Sequence, residues 1–405
     1  LAYDLIRGIP QMVGLRTQFV HLYVKDNTEE SDGKFEDYGI YTQVEQLNKT
    51  ALKSHGLDSN GQLYKINSFE FYRYEDIIKK EDDAGYDKTA FEKMLEIKGD
   101  SDHTKLIDML TDLNDYSIGI EDVLKEHFDE ENIVYWMAFQ ILMGNVDTQN
   151  RNVYLYSPLN SDIWYFIAWD NDGCLMRSEY ELKNFSDQGS WEKGISNYWG
   201  NVLFQRCLKS RSFREKLNDA ILELREYLNK DMLISKIESY KNVLKPYLYL
   251  MPDAEYEPLT SEQYDQIVAS LPDEIEKNYK LYLESLETPM PFYIGVPTID
   301  GNKLKFNWDV SYDLDAEDIT YSVEVARDYL FQDVIYHNTT LTVPETEMDL
   351  PEAGQYFVRI RATNTSGKTQ DAFDYYVTDE GKHYGMKCFY ITEDSTVEED
   401  NYEEG

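Results

Sequence analysis

The 405 residues, 42% hydrophobic and 14% aromatic, suffice for two or three domains with ordinary cores. Lys and Arg number 39 against 77 Asp and Glu, a formal charge of −38 that is spread over both halves of the chain. That balance excludes a phosphate-neutralising nucleic-acid binder and disfavours docking on anionic membranes. No apolar run reaches the roughly 18–20 residues that a bilayer span needs.

The first residues, 1–7, lack the basic start, apolar middle and cleavage site of a secretion signal. A chain that opens on Leu in place of Met reads as a processed or trimmed product. Alternation of apolar and polar residues predicts strands over 18–24 and 38–45, joined by a polar, acidic loop. A short helix over 49–55 stops at Gly56, and the turn at Asp58-Ser59-Asn60-Gly61 leads into a strand over 62–66. Residues 75–100 are charge-dense and show no assignable period.

From residue 103 helices dominate. Asp129, followed by Glu130 and Glu131, is a helix start whose acidic residues complement the N-terminal dipole. Residues 133–143 are apolar nearly all round, which predicts a buried central helix that ends at Gly144. Two apolar strands follow, over 153–156 and 164–169, joined by a turn at 157–161. Amphipathic helices are predicted at about 212–228, 231–245 and 260–286, and a linker at 288–291. Residues 292–391 hold short alternating strands with turn residues between them, the pattern of a β-sandwich. The acidic stretch 393–405 reads as a frayed tail. The three separated cysteines, Cys174, Cys207 and Cys388, form neither a disulfide framework nor a CxxC metal site.

Residues 144–173 carry the chemistry. A buried helix delivers the chain to a loop rich in Asp and Asn, and a second acidic cluster follows the second strand. Asp147 and Asn152 are five residues apart, and Asp170 follows one hairpin later. Phosphoryl transfer needs a carboxylate to orient the attacking hydroxyl and oxygen ligands for a metal that bridges the phosphates. Asp147 fits the first role, Asn152 and Asp170 the second, and Asp172 is a further ligand or a support. The competing reading is that each cluster is a capped turn. A metal-dependent hydrolase would use the same carboxylates but leaves the five-residue spacing unexplained.

Other features point less sharply. Trp191, Tyr198 and Trp199 lie in a Gly/Ser/Asn-rich loop and either stack on a sugar or protein, or pack in the core. Arg151 and Arg177 either contact phosphate or, more simply, pair with surplus carboxylates. No paired-His spacing or Gly-x-Ser-x-Gly elbow is present, so neither a zinc site nor the commonest hydrolase signature is expected.

The run from Trp136 through Gly144-Asn-Val-Asp147 and Arg151-Asn152 to Tyr156, followed by Trp164 to Trp169-Asp170-Asn-Asp172, resembles the CotH family. These are spore-coat and cell-surface proteins regarded as atypical secreted protein kinases. The resemblance extends upstream to Tyr38-Gly-Ile-Tyr41 and Gly61-Gln-Leu-Tyr-Lys65, and downstream to Leu203-Phe-Gln-Arg206 and Ser212-Phe-Arg-Glu215, covering about residues 1–285.

It implies an α+β, protein-kinase-like domain over 1–287, with ATP and magnesium or manganese as cofactors. The implied reaction phosphorylates Ser/Thr of a coat or surface protein, at a secreted or cell-surface location in a bacterium. By position Asp147 would be the catalytic aspartate, and Asn152, Asp170 and Asp172 the metal ligands. The phosphate-contacting lysine would be Lys65 or Lys98, oriented by Glu45. The alternatives for these three are exposed lysines and an edge-strand glutamate facing water. The family's upstream strands, with an Arg-Gly-Asn-Ser-like turn and a Pro-Lys-Lys-like segment, would lie ahead of Leu1. The rival function is a non-catalytic adhesin or scaffold that binds a glycan or protein through a kinase-like shell. The sandwich, 288–392, resembles a fibronectin type III module through Trp308, the strand from Gly354 to Ala362 and the turn Asn364-Thr-Ser-Gly367. Such modules serve as spacers or adhesion surfaces.

Overall fold

The computed structural model describes residues 1–28, 33–183, 188–257 and 259–399. It divides into two compact units, Leu1–Glu179 with Asn201–Asn278, and Tyr180–Gly200 with Tyr279–Gly405. The first unit mixes helix and sheet, and the second holds an all-β sandwich.

In the first unit, α1 (Ala2–Ile6) precedes an antiparallel hairpin of β1 (Thr17–Lys25) and β2 (Phe35–Val44). Asn48 caps α2 (Lys49–Ser54) by accepting from the amides of Thr50 and Ala51, and Gly56 leaves it at φ 74°. β3 (Gln62–Ile66) follows. The charge-dense stretch without an assignable period contains α3 (Lys88–Met94), capped by Asp87, which runs directly into β4 (Leu95–Ile97). Next come α4 (Thr104–Asn114), α5 (Ile120–His127), α6 (Glu130–Met143), β5 (Val153–Ser157), β6 (Tyr165–Ala168) and α7 (Arg177–Lys183). α8 (Val202–Lys209), α9 (Arg211–Tyr227), α10 (Lys230–Leu248) and α11 (Asp253–Tyr256) lead to α12 (Ser261–Ser270) and α13 (Glu274–Glu287), whose residues from Tyr279 on belong to the second unit.

The single helix expected over 260–286 is thus two. Pro272, which has no amide hydrogen to continue the ladder, sits in a 3₁₀ turn at Leu271–Asp273 that separates α12 from α13.

The centre of this unit is α6. Asp129 caps it by accepting from the Asn132 amide at 2.9 Å. All but three of its side chains are buried, as the nearly all-apolar run 133–143 requires. Trp136 packs against Phe166 and Phe204, with ring centroids 5.1 and 5.5 Å away. Asn132 ties the helix to β6, taking the Phe166 amide at 2.7 Å and donating to the Phe166 carbonyl at 3.2 Å. The sheet beside it has the order β4-β3-β5-β6, all antiparallel. Its register aligns Ile66, Val153 and Ala168 across three strands. Lys65, Asn152 and Asp170 therefore fall at the same end of the sheet.

The second unit contains β7 (Thr298–Asp300), β8 (Lys303–Asn307), β9 (Ile319–Ala326), β10 (Val334–Leu341), β11 (Glu345–Asp349) and β12 (Gly354–Asn364). β13 (Thr369–Asp371), β14 (Tyr375–Thr378), β15 (Gly381–Tyr384), β16 (Met386–Ile391) and β17 (Val397–Glu399) complete it. One sheet runs β10-β9-β12-β16-β17 with β13 on β12, the other runs β11-β8-β7, and β14-β15 form a hairpin. The alternation of the sequence is the packing: Leu304, Phe306 and Trp308 meet Tyr356, Val358, Ile360 and Ala362 in one core.

At 288–291, the expected linker, Met290 is fully buried and its amide donates to the Tyr312 carbonyl at 2.7 Å. The acidic tail is not frayed throughout: residues 397–399 form β17, paired with β16, while 400–405 lie outside the described residues.

Gly144 ends α6 at φ 64°, and a Cβ there would lie 2.6 Å from the Asn278 amide nitrogen, which itself donates to the Leu142 carbonyl. Gly144→Ala is therefore expected to cost about 1–3 kcal/mol, seen as a lower Tm. An unchanged Tm would contradict this account of the turn.

Candidate functional site

The loop after α6 is fixed from several sides. The Asn145 amide donates to the Gln140 carbonyl at 3.0 Å, and the Phe69 amide donates to the Asn150 carbonyl at 2.8 Å. Asn150 Nδ2 donates to Glu70 Oε1 at 2.7 Å, and Tyr74 holds the other oxygen of Glu70 at 2.7 Å. Asn201, the cap of α8, donates to the Gln149 carbonyl at 2.9 Å. These bonds leave Asp147 at the surface, with its side chain 56% exposed. Asn152 Nδ2 donates to Asp147 Oδ2 at 2.7 Å and to the Asp147 carbonyl at 3.0 Å. Arg151 Nε lies 3.6 Å from Asp147 Oδ1, the ion pair expected of a surplus carboxylate.

The second acidic segment is held by a chain of buried amides. Asn145 Nδ2 donates to Gln140 Oε1 at 3.1 Å, and Gln140 Nε2 donates to Asn171 Oδ1 at 3.1 Å. Asn171 is buried, while Asp170 and Asp172 on either side of it are exposed. The Asp170 amide donates to the Tyr3 hydroxyl at 2.9 Å, and the Leu175 amide to the Met143 carbonyl at 2.7 Å. A Cβ at Gly173 would come within 2.6 Å of Asn145 Oδ1, so a side chain here would press on the amide chain.

Strain is concentrated in the same segments. Asn152 at φ 59°, Asp170 at φ 52° and Leu175 at φ 58° are all left-handed. Each costs of order 1 kcal/mol or more and persists only where surrounding contacts over-determine it.

The carboxylates act on one another. Although more than half of the Asp147 side chain is open, loss of hydration is the largest influence on it and pushes its carboxyl above the usual range. Arg151 and the Asn152 amide oppose that rise, and Asp172 and Asp170 add to it. Asp170 is likewise raised, by loss of hydration and then by Asp172, against the pull of the Lys65 ammonium. Among the described residues no three His, Cys, Asp or Glu side chains form a group that could hold a metal ion without further ligands.

Of the remaining candidates, Lys65 faces Glu96 and Tyr154 across its strand neighbours and acts on Asp170. Lys98 instead bonds to Glu96 on the edge strand. Glu45 neither orients a lysine nor faces water: its side chain is 9% exposed, grips the Arg16 guanidinium and takes His55 Nε2 at 2.8 Å. Arg16 and His55 hold its carboxyl down at about 2, against the cost of burial. Arg177 Nε donates to Asn278 Oδ1. Trp191, Tyr198 and Trp199 are 7%, 1% and 4% exposed, so packing is the role the structure gives them.

The supporting amides were missed in the sequence, yet one signal was there. Gln140 is the lone amide in the apolar run 133–143, and a buried amide demands partners. Tyr3 carries no such signal.

Gln140→Leu keeps the size but leaves Asn145 and Asn171 with unmet amides, and is expected to lower stability by about 1–3 kcal/mol. No change in Tm would remove the amide chain from the account. Asp147→Asn acts in the opposite direction. The raised carboxyl means that folding is penalised once Asp147 ionises, so the wild type loses stability as pH rises through the folded-state value. The Asn variant is therefore expected to melt higher at pH 7 than wild type, with the gap closing below about pH 4. A variant less stable than wild type at pH 7 would contradict this.

Among known proteins, the family description "CotH kinase protein" matches residues 1–282. No curated protein matches the chain. Among solved structures, domains 1–6 of surface layer protein SbsC match at 12% identity and a TM-score of 0.14. That match covers 82% of this chain and 41% of the other, a likeness too weak to inform the fold. No helix among the described residues is long and apolar enough to cross a membrane. With the match running over residues 1–282, the chain belongs to the CotH family.

Proposed function

We propose that the first unit is a kinase-like phosphotransferase that moves the γ-phosphate of ATP to Ser or Thr of a spore-coat or surface protein, in a secreted or surface setting. The observation that carries this reading is the convergence on one carboxyl. Asn152 donates to Asp147 at 2.7 Å, and both Asp170 and Asp172 act on the same group.

Asp147 is suited to orient an incoming hydroxyl and receive its proton. It is exposed, fixed by Asn152, and more basic than an ordinary carboxylate. Arg151, beside it, is placed to limit the repulsion among the three acids.

The donor set fits a magnesium or manganese ion. Such an ion takes one or two carboxylates plus substrate phosphates rather than an all-protein cage. Asp170 and Asp172 would hold it, with Asn152 Oδ1, since Asn152 Nδ2 faces Asp147. When bound, the ion would offset the charge that develops on the transferring phosphoryl group. Lys65 is the better of the two lysines to contact phosphate, because Lys98 is engaged by Glu96 and Lys65 acts on Asp170. The adhesin alternative drew on the aromatic loop, whose rings are buried. In the same reading the sandwich is a fibronectin type III-like spacer.

Phosphate transfer from labelled ATP, to the protein itself and to a casein acceptor, tests the assignment. Asp147→Asn is expected to lose about 100-fold or more in rate while remaining folded. Lys65→Ala is expected to raise the KM for ATP, and Lys98→Ala to leave it near wild type. Transfer by Asp147→Asn at the wild-type rate, or a larger effect at Lys98 than at Lys65, would contradict it.

A further inference from the structure

The sandwich unit has a cavity of its own, about 290 Å³, between the β14-β15 hairpin and the edge formed by β16 and β17. Aromatic residues form one part of its wall: Tyr293, Phe373, Tyr375 and Tyr376. Tyr293 packs on Phe373 with ring centroids 4.8 Å apart, and Trp191 meets Phe373 edge-on at 5.0 Å. Phe373 is thereby buried, but Tyr293 is 49% and Tyr375 37% exposed. Two half-wet tyrosines at one opening are amphipathic surfaces, apolar on the ring face and polar at the hydroxyl.

Charged groups form the rest of the wall. Lys387 Nζ lies 3.3 Å from Asp374 Oδ1 and 3.2 Å from Glu399 Oε1. Asp374 also accepts the Ile294 amide at 2.7 Å, which fixes the carboxylate in place. The side chains of Lys387 and Asp374 are only 19% and 11% exposed. Taking such a pair largely out of water costs more than an apolar replacement of the same shape, so packing alone gives no reason to keep it beside a cavity. Burial also pushes the Asp374 carboxyl up, against Lys387.

We propose that this cavity binds a saccharide, one pyranose ring of a neutral or N-acetylated sugar. The volume falls just below the roughly 300–1,000 Å³ typical of sites for larger ligands, and so suits a single ring. The C–H face of a pyranose stacks on an exposed tyrosine. Its adjacent hydroxyls donate to a carboxylate and accept from an ammonium, which the Asp374–Lys387–Glu399 wall supplies together. That wall carries two negative charges and one positive, within an acidic chain, so uronic acids are repelled while neutral sugars are not. The inference is independent of phosphotransfer, since none of these residues belongs to the first unit.

The test uses the full chain in calorimetry and saturation-transfer NMR. The probes are glucose, galactose, mannose, N-acetylglucosamine and its β-1,4 oligomers, with glucuronic acid as the acidic comparator. At least one neutral or N-acetylated probe is expected to bind, with glucuronic acid at least tenfold weaker. Tyr293→Ala and Glu399→Gln change exposed positions and are expected to keep the wild-type circular dichroism while weakening binding tenfold or more. Asp147→Asn is expected to bind as wild type. Binding to none of the probes, undiminished binding in both cavity variants, or preference for glucuronic acid would each overturn the proposal.

Discussion

The geometry of the acidic site depends on one buried amide. Gln140 accepts from Asn145 and donates to Asn171, so a single side chain inside α6 joins the loop that carries Asp147 to the segment that carries Asp170 and Asp172. Both bonds run through an apolar interior, where an unmet amide is costly and a satisfied one has few alternatives. Three residues of these segments hold left-handed backbone, and an Asn-Asp-Asn-rich chain in water would relax from it. Anchoring at Gln140, Glu70, Asn201 and Tyr3 is what keeps it.

The site also works against the fold's electrostatics. Asp170 and Asp172 push the Asp147 carboxyl up, and Asp172 does the same to Asp170, in a chain whose formal charge is already −38. Arg151 and Lys65 are the nearby cations that moderate this, one at Asp147 and one at Asp170. Repulsion of this kind lowers stability and creates a demand for positive charge, which a divalent ion would meet. The sandwich shows a smaller version of the same feature, with Lys387 shared by Asp374 and Glu399 beside a cavity.

Much of the local structure was legible because its causes are local. β3 occupies the expected 62–66, since the turn ahead of it and the alternation within it are set by adjacent residues. Asp129 and Gly144 bound α6 because a cap acceptor and a left-handed glycine act within one turn. The sandwich strands follow from every-second-residue burial. Pro272 should have divided the last long helix, but helical periodicity on both sides masked it. Tertiary partners were another matter. Glu45 is fixed by Arg16, 29 residues earlier, and nothing in the spacing favoured that over a lysine. Lys65 and Lys98 are both strand-end lysines, and only the register of β3 against β4 and β5 separates them. The Asp147–Asn152 spacing, with Asp170 one hairpin later, was visible in the sequence, whereas the amides around these segments act across 5 to 80 residues and left no pattern beyond a lone Gln in an apolar helix.

The central claim is that Asp170 and its neighbours form a metal-dependent nucleotide site. Titrating ATP by calorimetry, with and without manganese, on the full chain and on Asp170→Ala tests it most directly. The account predicts binding that requires the metal and is lost in the variant. Binding that ignores the metal, survives in Asp170→Ala, or is absent from the unaltered chain would contradict it.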